Sequence, residues 1–187
     1  MDTFIFRNDN DNIRVFEIDH PDTQRFKKAR IRRLEWAIPS NVWLVPVDIA
    51  KDDMIASLLR AGFDPKLPTF FSVLGVTYYL SLELFEDTVK KMGSFQHSEN
   101  RLVFDFQDER LPPDSSRGAE LTRITAMLGE PLAAGYQEED VMCMLRRCGF
   151  CCKQHFTPEK IEKCYFSGRS DNLHAFENIH FILMYTE

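Results

Sequence analysis

No stretch of 18 apolar residues occurs in this chain, so no segment has the length and composition of a membrane-spanning helix. The N-terminal residues are polar, which is not how a secretory leader reads. A phosphate-binding P-loop, Gly-x-x-x-x-Gly-Lys-Ser/Thr, is absent. So is the Gly-x-Ser-x-Gly elbow of an α/β hydrolase. Positive charge is in deficit: 23 Lys and Arg stand against 29 Asp and Glu, a net charge of −6, which argues against a nucleic-acid surface. The local cluster Arg25, Lys27, Lys28, Arg30, Arg32 and Arg33 falls at helical spacing and reads as a solvated face. Zinc-ligand spacing is missing too. Cys148-Gly-Phe-Cys151 is half of a site, but no second CxxC or paired His follows it. The five cysteines therefore read as reduced structural thiols of a cytoplasmic protein, with no metal.

What is present fits one globular domain over residues 1–187, with 44% hydrophobic and 28% charged residues. The stretch Arg14-Val-Phe-Glu-Ile-Asp-His-Pro21 predicts a buried strand ending on Asp19, followed by a helix over 22–31 with Asp22 as its cap. A carboxylate at a strand tip just ahead of a helix is where nucleotide-binding α/β folds hold ribose hydroxyls. The same residue type also serves there as a cap or a solvated turn.

A second strand is predicted over 42–49, with Asp48 near its end, then a helix over 53–61 closed by Gly62. Residues 69–76 are apolar throughout and predict a central parallel strand covered on both faces. Ser81 caps a helix through Met92, and residues 100–106 read as the fourth strand. Helices over 118–128 and 138–148, a strand over 151–156, a short helix to Cys164 and a closing strand over 179–185 complete the pattern. The alternation gives a doubly wound α/β sheet ending in an antiparallel hairpin, the arrangement with which Rossmann-like class I methyltransferases finish.

The segments Arg14-Val-Phe-Glu-Ile-Asp-His-Pro21, Pro46-Val-Asp-Ile49, Ala61-Gly-Phe-Asp-Pro-Lys-Leu-Pro-Thr-Phe-Phe71 and Gly75-Val-Thr-Tyr-Tyr-Leu80 stand in an order and spacing that resembles the leucine carboxyl methyltransferase family. The resemblance is to its bacterial branch of S-adenosylmethionine-dependent O-methyltransferases. Leu128-Gly-Glu-Pro131, Leu145-Arg-Arg-Cys-Gly-Phe150 and Tyr165-Phe-Ser-Gly-Arg169 are similar to that branch as well. In the family, a strand and a Gly-Ala-Gly turn precede a segment like Met1-Asp2-Thr3. The resemblance therefore implies a chain truncated before the first strand and the glycine loop, with unpaired edges on the neighbouring strands.

By that resemblance the cofactor is S-adenosylmethionine. Asp19 is expected at its ribose hydroxyls, Asp48 and the backbone of Ile49 at its adenine, and Asp2 near its methionine end. Leu74 stands where many family members carry a carboxylate. Tyr79 keeps an aromatic position near the site mouth, where it would orient a substrate oxygen, and is the expected catalytic residue. The acceptor implied is a small molecule or a protein C-terminal carboxylate. A carboxylate is ionised at neutral pH and needs no general base, whereas a hydroxyl acceptor would need one, and neither His20 nor His97 is placed for it. A second chain covering the exposed sheet edge is the expected oligomer. The rival reading is a non-catalytic α/β module that has lost its cofactor.

Overall fold

β1, Val15–Asp19, forms where the short apolar run places it and pairs in parallel with β2, Val42–Pro46, in the register Val15↔Val42 to Asp19↔Pro46. A computed structural model describes residues 3–95, 99–109, 117–127, 132 and 135–186. These divide into two compact units, Met1–Asp64 and Pro65–Glu187. No helix among the described residues is long and apolar enough to cross a membrane.

The first unit opens with a single helical turn, α1 (Phe4–Arg7). Helix α2, Pro21–Arg33, follows β1 directly, and α3, Met54–Arg60, follows β2. Pro21 occupies the first turn of α2, where its missing N–H costs no hydrogen bond. The cap differs from expectation. His20, not Asp22, is the N-cap: its Nδ1 accepts from the Asp22 N–H at 3.3 Å. With Pro21 at the first helical position, Asp22 already lies inside the first turn. Asp53 caps α3 as expected, accepting from the Ala56 N–H at 3.0 Å, and Gly62 follows that helix at φ +88°, a conformation that glycine adopts without strain. β2 is shorter than predicted and stops at Pro46, although the Val47 N–H still donates to the Asp19 carbonyl at 2.9 Å.

Phe16 and Trp43 stack across the two strands at 4.9 Å, and the Arg14 guanidinium lies over both rings while donating to the Gly62 carbonyl. That one side chain ties β1, β2 and the end of α3 together. The face of α2 against β1 is not the solvated surface that its basic residues suggest. Gln24, Lys27 and Ile31 are buried there, and Lys27 Nζ pairs with Glu17 of β1. A long basic side chain at that position points inward because a carboxylate on the neighbouring strand receives it.

The second unit is a four-stranded sheet in the order β3-β4-β6-β5, built from β3 (Phe70–Val73), β4 (Arg101–Gln107), β5 (Phe150–Phe156) and β6 (Ile179–Thr186). β3 and β4 are parallel, and β6 runs antiparallel between β4 and β5. The antiparallel closure is thus present, with the last strand inserted inside the sheet. Helices α4 (Leu82–Gly93) and α6 (Glu138–Arg147) supply Phe85, Val89, Val141, Met144 and Leu145 to a core with Leu102, Phe104, Phe106, Ile182 and Met184. Ser81 caps α4, accepting from the Leu84 N–H. α5 (Arg117–Met127) and α7 (Pro158–Ile161), which a π-turn over Glu162–Phe166 prolongs, complete the unit. β3 corrects the sequence reading. Among the described residues it pairs with β4 alone, and Phe70 is 63% exposed while Phe71 and Val73 are buried. An all-apolar run marks a strand but does not tell whether both of its faces are covered.

Candidate functional site

In the first unit the parallel pairing sets the C-terminal ends of β1 and β2 side by side. Asp19 is half-buried there, and its Oδ1 accepts from the His20 N–H at 2.8 Å. Its other carboxylate oxygen has no partner among the described residues. Two residues past β2, Asp48 opens a tight turn. Its Oδ1 accepts from the Ala50 N–H at 3.1 Å, its Oδ2 pairs with Lys51 Nζ at 2.7 Å, and its own N–H donates to Asp52 at 2.8 Å. The Lys51 ammonium is the main reason that the Asp48 carboxyl is held below its ordinary range, with the Ala50 N–H and the charge on His20 adding to it. The Ile49 N–H, at the crest of this turn, has no acceptor among the described residues. An anionic diol-sized acceptor and an unpaired amide thus stand on adjacent strand tips of one small sheet.

In the second unit the segment after β3 is pinned from below. Asp105 of β4 is buried, its Oδ1 accepts from the Gly75 N–H at 2.8 Å and its Oδ2 from the Tyr78 hydroxyl at 2.7 Å. Burial pushes its carboxyl above the usual range, and the two hydrogen bonds oppose that shift. Burial first, and then the Asp105 charge, push the Tyr78 phenol up as well. The Tyr136 hydroxyl donates to the carbonyls of Thr77 and Leu80, both at 2.9 Å. The segment from Gly75 to Leu80, with the helical turn Thr77–Tyr79 inside it, is therefore fixed at four points, and Tyr79 projects from it, half exposed.

Of the residues expected at a site, Asp19, Asp48 and Ile49 lie together at the tips of β1 and β2. Asp2 lies outside the described residues, as do His97 and the Leu128–Pro131 motif. Leu74 is 49% exposed, and Tyr79 makes no side-chain hydrogen bond among the described residues, so the core tyrosine of the pair is Tyr78. His20 is engaged as the helix cap, with its Nε2 3.6 Å from Asp48. The sequence reading missed Asp105 and Tyr136. For Asp105 the signal was available: a lone carboxylate inside the apolar run Leu102-Val-Phe-Asp-Phe106 is costly unless something receives it.

Residues 1–93 match the leucine carboxyl methyltransferase family. The matched segment, 93 of 187 residues, is just under half of the chain. The match takes in both strand tips and the turn that carries Tyr79, and it ends with α4. Beyond it the similarity continues. A Bacillus subtilis protein named "Putative S-adenosyl-L-methionine-dependent methyltransferase YktD" is 35% identical over 187 residues, covering 97% of this chain and 61% of its own length. The chain thus spans less than two thirds of that relative.

Solved structures show the same fold. A DUF574 family protein from Streptomyces avermitilis superposes with a TM-score of 0.65 at 13% identity, over 95% of this chain and 77% of that one. A methyltransferase-like protein from Thermobifida fusca gives 0.66 at 15% identity, over 95% and 65%. The chain accordingly has a class I methyltransferase α/β fold, with Asp19 at the C-terminal end of β1 and Asp48 and Ile49 just past that of β2, where open α/β sheets bind ligands.

Proposed function

We propose that this chain acts as an S-adenosylmethionine-dependent O-methyltransferase domain that methylates a carboxylate or hydroxyl oxygen. The observation that carries this reading is the pair of strand tips in the first unit, where an unpartnered oxygen of Asp19 stands beside the Asp48 turn with its unpaired Ile49 N–H. These residues fit the cofactor. Asp19 would accept from the ribose hydroxyls, while Asp48 and the Ile49 N–H would meet the adenine edge. The name of the Bacillus subtilis relative supports the same cofactor.

When bound, S-adenosylmethionine supplies a methyl group already activated on a sulfonium. What remains for the protein is positioning and exclusion of water. Tyr79, with its exposed hydroxyl, is the residue proposed to orient the acceptor oxygen. A small molecule or a protein C-terminus bearing a carboxylate is the acceptor this reading favours, because an ionised carboxylate needs no base. It also places the protein in the cytoplasm, consistent with five free cysteines, and expects a second copy of the chain to cover the open edge of β1 or β3.

Calorimetric titration of the chain with S-adenosylmethionine and with S-adenosylhomocysteine tests the reading. Saturable binding that Asp19→Ala abolishes is the expected result. No heat from a chain shown to be folded would favour the alternative, a non-catalytic α/β module.

A further inference from the structure

Three ionisable side chains meet in the second unit, away from the residues assigned above. His155 of β5 and His180 of β6 face each other, with Nε2 of the first 2.8 Å from Nδ1 of the second. Nδ1 of His155 lies 3.4 Å from Oε1 of Glu138, the first residue of α6. On the far side Nε2 of His180 lies 3.8 Å from Oδ2 of Asp108. Donor atoms of Glu138, His155 and His180 all fall within 4.8 Å of one another.

The sheet builds this meeting through one irregularity. Cys152 pairs with Met184 and Gln154 with Leu183, so Lys153 is an extra residue in β5. Without it, His155 would stand opposite Phe181 and point away from His180. The bulge shifts the parity by one, sets His155 opposite Ile182 and brings both imidazoles onto one face.

A second observation points to a ligand. Two of the three, Glu138 and His180, border a cavity of about 240 Å³ that Asp108, Glu159 and Asn178 also line. Asn178 is 2% exposed, and neither its Oδ1 nor its Nδ2 has a hydrogen-bond partner among the described residues. A buried amide with both polar atoms unpaired at the wall of a polar cavity is a group that a bound polar ligand would satisfy.

We propose that Glu138, His155 and His180 bind a divalent transition-metal ion of the zinc class at the edge of the cavity that Asn178 also lines. Two imidazoles and one carboxylate suit such ions, whereas calcium and magnesium prefer sites made of oxygen alone. Donors in a tetrahedral zinc site stand about 3.3 Å apart, so the two imidazole nitrogens must part by about 0.5 Å and the Glu138 carboxylate, within 4.8 Å of them, must swing closer. Asp108 beside the opposite nitrogen of His180 provides the outer carboxylate that metal-bound histidines commonly have.

The test uses the full chain, freed of metal with a chelator and titrated with Zn²⁺ by calorimetry and with Co²⁺ by visible absorption. One equivalent of Zn²⁺ is expected to bind and to raise the thermal midpoint, and Glu138→Gln and His155→Gln should each weaken binding about tenfold or more. Glu138 lies on the surface, so Glu138→Gln decides the question alone if His155→Gln does not fold. Co²⁺ should give ligand-field bands without the intense near-ultraviolet band of thiolate ligation. Absence of binding, equal binding by the folded variants, or a thiolate band that places the ion on the cysteines would each overturn the site. The histidines would then be a packing pair stacked on Phe106.

Discussion

His20 Nε2 lies 3.6 Å from Asp48 Oδ2, while Nδ1 of the same ring caps α2 through the Asp22 N–H. One exposed imidazole thus holds the start of a helix and faces the carboxylate of the neighbouring strand tip. His20→Ala removes both contacts and should cost about 1 kcal/mol in urea unfolding, the usual value of an N-cap. His20→Asn, which can still cap, should cost much less. Equal losses in the two variants would show that the cap is not what His20 contributes.

The buried pair Lys27–Glu17 offers a sharper test. Lys27→Met leaves the Glu17 carboxylate without its cation and should destabilise the chain by about 3 kcal/mol. Adding Glu17→Leu should recover most of that loss, because two matched apolar side chains replace a buried pair at little cost. A double variant as unstable as Lys27→Met would mean that packing, not charge, fixes this face of α2.

Stability toward acid should depend on Glu86 of α4. Arg147 of α6 grips it with two nitrogens, at 3.2 and 2.8 Å, and Lys90 adds a third contact at 2.9 Å, which together hold its carboxyl at about 2. A carboxyl depressed in the fold stabilises it above the unfolded value of about 4.5 and loses that contribution as pH falls toward about 2. Unfolding midpoints of the wild type and Glu86→Gln, measured across that window, should converge as the pH drops. Parallel curves would exclude the linkage.

Tyr78→Phe leaves Oδ2 of the buried Asp105 without its donor, and a loss of about 2 kcal/mol is expected. Asp105 titrates with the opposite sign to Glu86: its carboxyl is raised in the fold, so stability falls as pH rises through the interval between its unfolded and folded values. The variant should widen that interval. Denaturant midpoints taken at two pH values, one on either side of it, read the effect.

Helices α3 and α4 were legible in the sequence because Asp53 and Ser81 act within three residues of themselves. The strand end at Asp19 could be read for a similar reason, since a short apolar run and a following turn are local signals, whereas β2 stops at Pro46, two residues short of Asp48. What escaped was non-local. Lys27 looks like every other basic residue of α2 until Glu17 is placed beneath it. The exposure of Phe70 depends on which strands flank β3, and nothing in an apolar tetrapeptide states that. His155 and His180 stand 25 residues apart, and only the extra residue in β5 brings them onto one face.

β6 follows β4 and β5 in the chain yet lies between them, with Arg101 paired to Tyr185 and Phe150 to Thr186. Synthesis proceeds from the N-terminus, so on the ribosome both older strands wait without the neighbour that joins them. The sheet of the second unit can close only after release of residue 186 from the exit tunnel, through contacts of long sequence separation that form slowly. During that interval β4 and β5 present open edges, which makes the nascent chain, more than the finished one, the state that chaperones would have to guard.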